Sequence, residues 1–300
     1  MHFKIISIKD IIVYKLIMIS FLFIVKSSFG IEQYTAHGGP VKGLAVSTNN
    51  QLMASASFDY SVVVWDLNPI KEKITLIGHD AAVNAVRFSP ANDFLVSGGD
   101  DNNVLLWSLN DINRGNEEIE PIRLGNHRGK IADLEFSKNG RYLLSASWDG
   151  TVGVWDLKER KKIHSLVGHK GPVYSVQYSK DNKYIYSSGY DGEIKLWKAE
   201  NGEYIRPLIK NGWGISKFEI DEQRNFIAYG STDGQISINR FDKDETILNI
   251  KEDRVPILSM YYLERENMIS FGNAKGRMII LDTKNWTLVR DFNAVNGPIW

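Results

Sequence analysis

The residues best suited to chemistry in this 300-residue chain are histidines and aspartates that recur together. His37 and Asp59 stand 22 positions apart, as do His79 and Asp101, His127 and Asp149, and His169 and Asp191. An imidazole beside a carboxylate serves general acid–base work, and a set of histidines can hold a metal. A tryptophan follows each aspartate by six positions: Trp65, Trp107, Trp155 and Trp197. The sets return every 42 residues, with one step of 48. A constant period of that length marks a stacked or circular array. Each histidine then belongs to a different unit, so the four cannot converge on an ion whose ligands lie about 2 Å from one centre. No metal site is expected, and His164, which stands alone, reads as a surface residue.

The elements that position these residues are short. In the second unit Gly78-His79 precedes Val83–Phe88, an apolar alternation. A small-residue run, Leu95–Gly99, comes next. Asp101 starts a tight turn, Val104–Trp107 makes a third run and Pro121–Leu124 a fourth. Four period-2 runs divided by Gly, Asp, Asn and Pro predict a four-stranded antiparallel sheet. One such sheet cannot bury both faces alone, whereas sheets arranged radially bury one another's. No amphipathic helix is expected after residue 31, and the six extra residues of the long step, with the acidic Glu117, Glu118 and Glu120, read as a solvated loop. Ala54, Ala56, Gly98 and Ala146 suit narrow inner strands.

Gly78-His79 with Trp65-Asp66 and Trp155-Asp156, at this period, resembles the WD40-repeat family of β-propellers. The resemblance covers residues 33–300 and implies an all-β propeller. In that family a Ser or Thr joins the His, Asp and Trp in a hydrogen-bonded tetrad. The matching serines stand four before each aspartate: Ser55, Ser97, Ser145 and Ser187. A buried Asp needs donors, and a chain of imidazole, hydroxyl and indole pairs every polar atom. Ser, His and Asp also compose an acyl-transfer triad. The trio nevertheless occurs four times, each beside a Trp, without a G-x-S-x-G elbow to expose a nucleophile. No catalytic residue is expected.

The pattern decays toward the C-terminus. Repeat five keeps Asp233 but has Asn211, Tyr229 and Asn239 in the other places; repeat six has Asp253, Phe271, Lys275 and Leu281. Both keep the period and read as blades without the tetrad. Asn296–Trp300 aligns with Lys170–Tyr174 as the opening of a seventh unit, and Ile31–Ala36 reads as a lone outer strand of the kind that closes rings in the family. Seven blades are therefore expected, the last incomplete. The alternative is a compact six-bladed ring with the last residues as a tail.

Residues 1–30 differ from the rest. Lys4, Lys9 and Lys15 precede the apolar Leu16–Val25, and small residues Ser28 and Gly30 follow. That order describes a secretory signal cleaved before Ile31, leaving the propeller at 31–300. An uncleaved anchor over Ile11–Val25 and a mis-assigned start are the alternatives. No stable membrane insertion is expected after signal removal. There is no cysteine, which excludes disulfides, lipid attachment at a cysteine and covalent haem in these residues. Lys+Arg and Asp+Glu are both 36, so no basic excess argues for nucleic acid. Asn285-Trp286-Thr287 matches a glycosylation sequon, a weak signal.

One constellation lies outside the tetrads. Phe58, Asp100, Trp148 and Tyr190 stand immediately before the turn aspartates, and Lys42, Asn84, Tyr174 and Trp213 belong near the same rim. By the resemblance these positions lie on the upper face, around the central channel. Exposed aromatics there suit a contact surface for a protein or peptide. The expected function is thus a non-catalytic interaction scaffold, without a cofactor of its own. Its export signal and cysteine-free composition are similar to bacterial periplasmic WD40 modules that precede a c-type cytochrome domain, where haem would belong to a continuation. The competing readings are an intracellular scaffold of a multiprotein complex and a propeller hydrolase.

Overall fold

The computed structural model describes residues 35–116, 118–251 and 254–300. The expected signal segment, most of the expected lone strand at 31–36, and Glu117, Glu252 and Asp253 lie outside the described residues.

The described chain folds into six four-stranded antiparallel sheets, each built from four consecutive strands. The first blade is β1 (Val41–Val46), β2 (Leu52–Ser57), β3 (Ser61–Leu67) and β4 (Ile70–Ile77). The second is β5 (Val83–Phe88), β6 (Phe94–Gly99), β7 (Asn103–Ser108) and β8 (Ile122–Asn126). The third is β9 (Ile131–Phe136), β10 (Tyr142–Ser147), β11 (Thr151–Asp156) and β12 (Lys161–Val167). The fourth is β13 (Val173–Tyr178), β14 (Tyr184–Gly189), β15 (Glu193–Lys198) and β16 (Tyr204–Lys210). The fifth is β17 (Ile215–Asp221), β18 (Phe226–Ser231), β19 (Gln235–Arg240) and β20 (Thr246–Lys251). The sixth is β21 (Ile257–Leu263), β22 (Met268–Asn273), β23 (Arg277–Asp282) and β24 (Leu288–Asn293). The first strand of each blade packs on the first strand of the next, which places β1, β5, β9, β13, β17 and β21 around the axis.

Burial follows this placement. The second and third strands of blades are almost wholly buried, as in Leu52–Ser57, while outer strands such as Leu288–Asn293 are mostly exposed. Blades interlock through a matched pair of volumes. Gly98 of β6 receives Ile131 of the next blade, and Gly230 of β18 receives Ile257. Where the small residue is alanine, the partner is the smaller valine: Ala56 shares a core with Val83, and Ala146 with Val173. A Cβ on Gly98 would lie 2.6 Å from Ile131 Cγ2. Gly98→Ala should therefore destabilise the protein by about 1–3 kcal/mol through overpacking, and adding Ile131→Val should restore most of the loss. Chemical denaturation of both variants checks this, and a double variant no better than the single one would refute the matching.

Two expectations need correction. The described residues form six blades and not seven, which matches the six-bladed alternative. Asn296–Trp300 carries no strand; it is a turn and coil segment laid against blade six. Ile299 donates its N–H to Asn273 O at 3.1 Å and seats on Gly272, as Ile131 seats on Gly98. The likeness to Lys170–Tyr174 is real but local: it reproduces the contact on the preceding blade without the pairing that makes a sheet. The long step also holds a short helix, α1 (Leu109–Arg114), where only loop was expected. Ser108 caps its N-terminus by accepting from Asp111 N–H, Gly115 ends it at φ 76°, and Leu109 and Ile112 are buried. Residues three apart face the same way on one helical turn.

Candidate functional site

Each intact tetrad spans two strands, the turn between them and a loop. The Ser lies on the second strand, the Trp on the third, the Asp in the turn between them and the His before the first. The indole N–H donates to Ser Oγ at 2.9, 2.8, 2.8 and 2.8 Å in blades one to four. Ser Oγ lies 2.7, 2.8, 2.7 and 2.8 Å from His Nε2. His Nδ1 lies 3.0, 2.8, 3.0 and 2.8 Å from a carboxylate oxygen of the Asp. The proton inventory orders the chain. The indole fills the acceptor side of the hydroxyl, so the hydroxyl donates to Nε2 and Nδ1–H donates to the carboxylate. The carboxylate also accepts a backbone N–H from the residue after the His: Gly38, Asp80, Arg128 or Lys170.

These distances would equally suit a Ser–His–Asp triad. Accessibility separates the two. Ser97, Ser145 and Ser187 are fully buried and Ser55 is 3% exposed. Each hydroxyl already holds an indole N–H and an imidazole, so no substrate carbonyl can approach it. The arrangement is an internal clamp joining two strands, their turn and the loop before the first strand.

Ionisation follows from the same bonds. Burial pushes the Asp59 carboxyl up, but hydrogen bonds from Ser61, Gly38 and His37 outweigh it and hold the group at about 2. Burial is likewise outweighed at Asp101 by His79 and Asn103, and at Asp149 by Thr151, Arg128 and His127, again giving about 2. Asp191 is depressed too, burial being outweighed by His169, Lys170 and Glu193. His127 is lowered by burial and then by Lys162, against the pull of Asp149. Depressed carboxyls contribute stability that is present above the unfolded value near 3.9 and lost as pH falls through the folded value. The lowered His127 acts in the same direction below about pH 6.5.

Blades five and six replace the clamp. In blade five Ser237 Oγ donates to Asn239 Oδ1 at 2.9 Å, beside the buried Tyr229, and Asp233 accepts from Ser231. Asn211 turns to the Trp213 carbonyl at 3.1 Å. In blade six Phe271 and Leu281 form an apolar core, while Lys275 is exposed.

The axis carries a polar cluster that the repeat pattern did not reveal. Its members stand eight residues after the loop positions of blades two to six, Arg87, Glu135, Gln177, Glu219 and Tyr261, while blade one has the apolar Ala45 there. Arg87 Nη2 lies 3.0 Å from Asp133 Oδ1 and its Nε 3.9 Å from Glu135. Asp133 also accepts from Ser175 Oγ at 2.7 Å and lies 3.4 Å from Lys217 Nζ. Gln177 bonds the Ile220 backbone in both directions. Burial pushes Glu135 up to about 7, only partly offset by Arg87. Burial, then Glu135 and Asp133, push Glu219 up to about 8. Glu135 keeps 37% of its side-chain surface open, so channel water relieves part of that cost. Arg87, Glu135 and Gln177 also line a cavity of about 710 Å3 at the lower mouth.

The raised glutamates reverse the sign found in the tetrads. Protonated, they favour folding; their contribution is present below the unfolded value near 4.3 and lost as pH rises through 7 to 8. Glu219→Gln should thus raise the melting temperature at pH 8 and leave it unchanged at pH 4. The wild type should lose stability steeply from pH 4 to 2 as the tetrad aspartates protonate. Thermal melts across that range check both limbs, and a Glu219→Gln shift of the same size at both pH values would contradict the assignment.

The upper face presents the aromatics. Phe58 is 40% exposed, Trp148 48%, Tyr190 63% and Trp213 60%. Trp148 meets Tyr174 edge to face at 6.3 Å, and Lys130 Nζ stands 5.3 Å from the Trp148 ring centre. Tyr190 rests on Gly171, and Gly214 approaches both Tyr190 and Tyr174, which makes one strip across blades three to five. Asp100 bonds Asn84 at 2.7 Å and pairs with Lys130 at 2.6 Å, so it faces inward to its neighbours. Lys42 Nζ donates to Asn84 Oδ1 at 3.1 Å. Tyr60, 51% exposed, and Lys130 belong to this face and had no distinguishing signal in the repeats. Among the described residues no cluster of side chains could hold a metal ion. No helix among them is long and apolar enough to cross a membrane.

The family model for the WD domain, G-beta repeat, matches residues 30–66, 70–108, 120–156 and 160–198, more than half of the chain. The protein therefore belongs to the WD40 family, whose members are in general non-catalytic interaction scaffolds. It is 30% identical over 136 residues to WD repeat-containing protein 36 of Homo sapiens, covering 44% of this chain and 14% of the relative. It is 26% identical over 141 residues to U3 small nucleolar RNA-associated protein 21 homolog of Schizosaccharomyces pombe, covering 47% and 15%. Nuclear distribution protein PAC1 of Arthroderma otae matches at 31% over 127 residues, covering 40% and 25%. The chain thus spans between about a seventh and a quarter of the length of these relatives. The four matched segments are the four blades that keep the tetrad.

Proposed function

We propose that this chain is a non-catalytic scaffold that takes a protein or peptide partner on its upper face, and that it acts after export. The observation that carries the binding site is the strip of Trp148, Tyr174, Tyr190 and Trp213, in which Trp148 and Tyr190 stand on turns fixed by buried clamps. Large aromatic side chains held rigidly lose little entropy on binding and dominate contact energies. Fold alone cannot name the partner. Export is supported by the basic, apolar and small-residue order of residues 1–30. The link to a c-type cytochrome rests on the resemblance, and these residues offer haem no cysteine for attachment. The reading frame beyond the Trp300 codon either encodes Cys-x-x-Cys-His or removes that part.

A photo-crosslinking residue placed at Tyr190 tests the surface in the native host. A discrete adduct is expected, lost when Trp213→Ala is added, with none from the same residue at Asn182 on the opposite face. Equal adducts from both faces would overturn the assignment. Mass spectrometry of the mature N-terminus tests export: Ile31 is expected, and a retained Met1 in the cytosol would favour the intracellular scaffold.

A further inference from the structure

We propose that the upper mouth of the propeller, centred on Lys42, receives a carboxylate side chain from an acidic, aromatic-bearing peptide segment. This rests on the upper-face reading above and names the chemistry of its partner.

Lys42 lies half-buried on β1, at the inner rim. Its ammonium meets Asn84 Oδ1 at 3.1 Å and stands 5.1 Å from the Phe58 ring centre and 4.6 Å from that of Trp300. The other two lysines at this mouth have carboxylates: Lys130 pairs with Asp100, and Lys217 with Asp133. Among the described residues none lies within ion-pair distance of Lys42. Burial, followed by repulsion from Lys130 and Lys217, lowers its pKa despite the attraction of Asp100. A cation desolvated in this way gains most from an incoming anion that reaches it directly.

The surroundings have the same sign. Among the described residues, Arg128, Lys170, Arg254 and Lys275 are exposed on upper loops, and Asp80 is the exposed acid there. The tetrad aspartates are bound inside their clamps, and Asp233 is buried. The chain as a whole is neutral, so the positive excess among the described upper-loop residues is local to them. Beside it runs the aromatic strip, which suits apolar or aromatic side chains spaced along the same segment. A nucleic-acid backbone fits less well. Binding to phosphates grows with the number of cations that can track the strand. Here Asp80 and Asp100 interrupt the basic positions, and the cation without a carboxylate partner at this mouth is a single lysine near two rings.

The test uses the purified chain and three fluorescein-labelled twelve-residue peptides. One alternates Asp or Glu with Tyr or Leu. The second replaces each acid by its amide, and the third by lysine. A single-stranded dT oligonucleotide of matched length serves as the phosphate polyanion. The acidic peptide should bind about tenfold or more tightly than the amide peptide, the effect of one charge-assisted hydrogen bond, and the lysine peptide not at all. Lys42→Gln should remove the preference, Lys42→Arg should keep it, and Lys158→Gln on the lower face should change nothing. Unchanged melting temperatures for these variants show that the fold is kept. Equal binding of acidic and amide peptides, both weakened by Trp148→Ala, overturns the acidic partner while leaving the upper-face reading intact. No binding of the acidic peptide, or tighter and steeply salt-dependent binding of the oligonucleotide, also overturns it.

Discussion

Trp155→Ala should lower the unfolding free energy by about 3–5 kcal/mol, the range for removing a fully buried aromatic. Two losses combine there. The indole is 1% exposed and belongs to the core between blades two and three, with Leu134, Phe136 and Leu143. Gly125 is pressed so closely against the ring that a Cβ there would lie 2.7 Å from it, so a cavity opens directly beneath the outer strand. Ser145 Oγ meanwhile loses its indole donor. Trp155→Phe should separate the two, keeping most of the packing and losing the hydrogen bond, at a cost of about 1–2 kcal/mol. Denaturant titration of both variants reads the difference. Equal destabilisation would mean that the bond carries the whole effect and the packing none.

Asp133→Ala should cost a similar amount, about 3–5 kcal/mol, for a different reason. Its carboxylate is buried on β9 and held ionised: burial raises it, but Lys217, Arg87, Ser175 and the Leu134 N–H outweigh that. Removing it leaves Arg87 and Lys217 facing each other across the axis, with Ser175 unpaired. The loss should therefore be coupled: in the Lys217→Met background the same substitution should cost distinctly less. Additive losses in that cycle would mean that the two groups do not interact.

Legibility in the sequence varied with repetition. The tetrads were readable because His, Ser, Asp and Trp return in the same types at the same offsets, and one unit explains the next. The axis was not, because Ala45, Arg87, Glu135, Gln177, Glu219 and Tyr261 share an offset but, apart from the two glutamates, no residue type. Their interactions cross between blades that lie 40 or more residues apart, where no local pattern reaches. The blade count failed on a local likeness. Gly297 and Ile299 copy the residues that dock a strand on its neighbour, and docking does not require a strand. Helix α1 left a signal in Ser108, Asp111 and Gly115, but fewer than two turns are too short for periodicity to disclose. The exposed aromatics before the turns were readable by position, since that position is exposed in blades one, three and four, although Asp100 turns inward in blade two.

The central claim is that the His–Ser–Asp–Trp sets hold the blades while the residues beside them meet the partner. Trp148 and Asp149 are adjacent in the chain and fall on opposite sides of that division. The melting temperatures of Trp148→Ala and Asp149→Ala, compared under one condition, decide it. Asp149→Ala strands the His127 Nδ1–H, the Arg128 N–H and the Thr151 hydroxyl, and should lower stability by about 1–3 kcal/mol, a drop of several degrees. Trp148→Ala should leave the melting temperature within about a degree, as for a surface substitution. An Asp149→Ala protein that melts with the wild type would contradict the clamp.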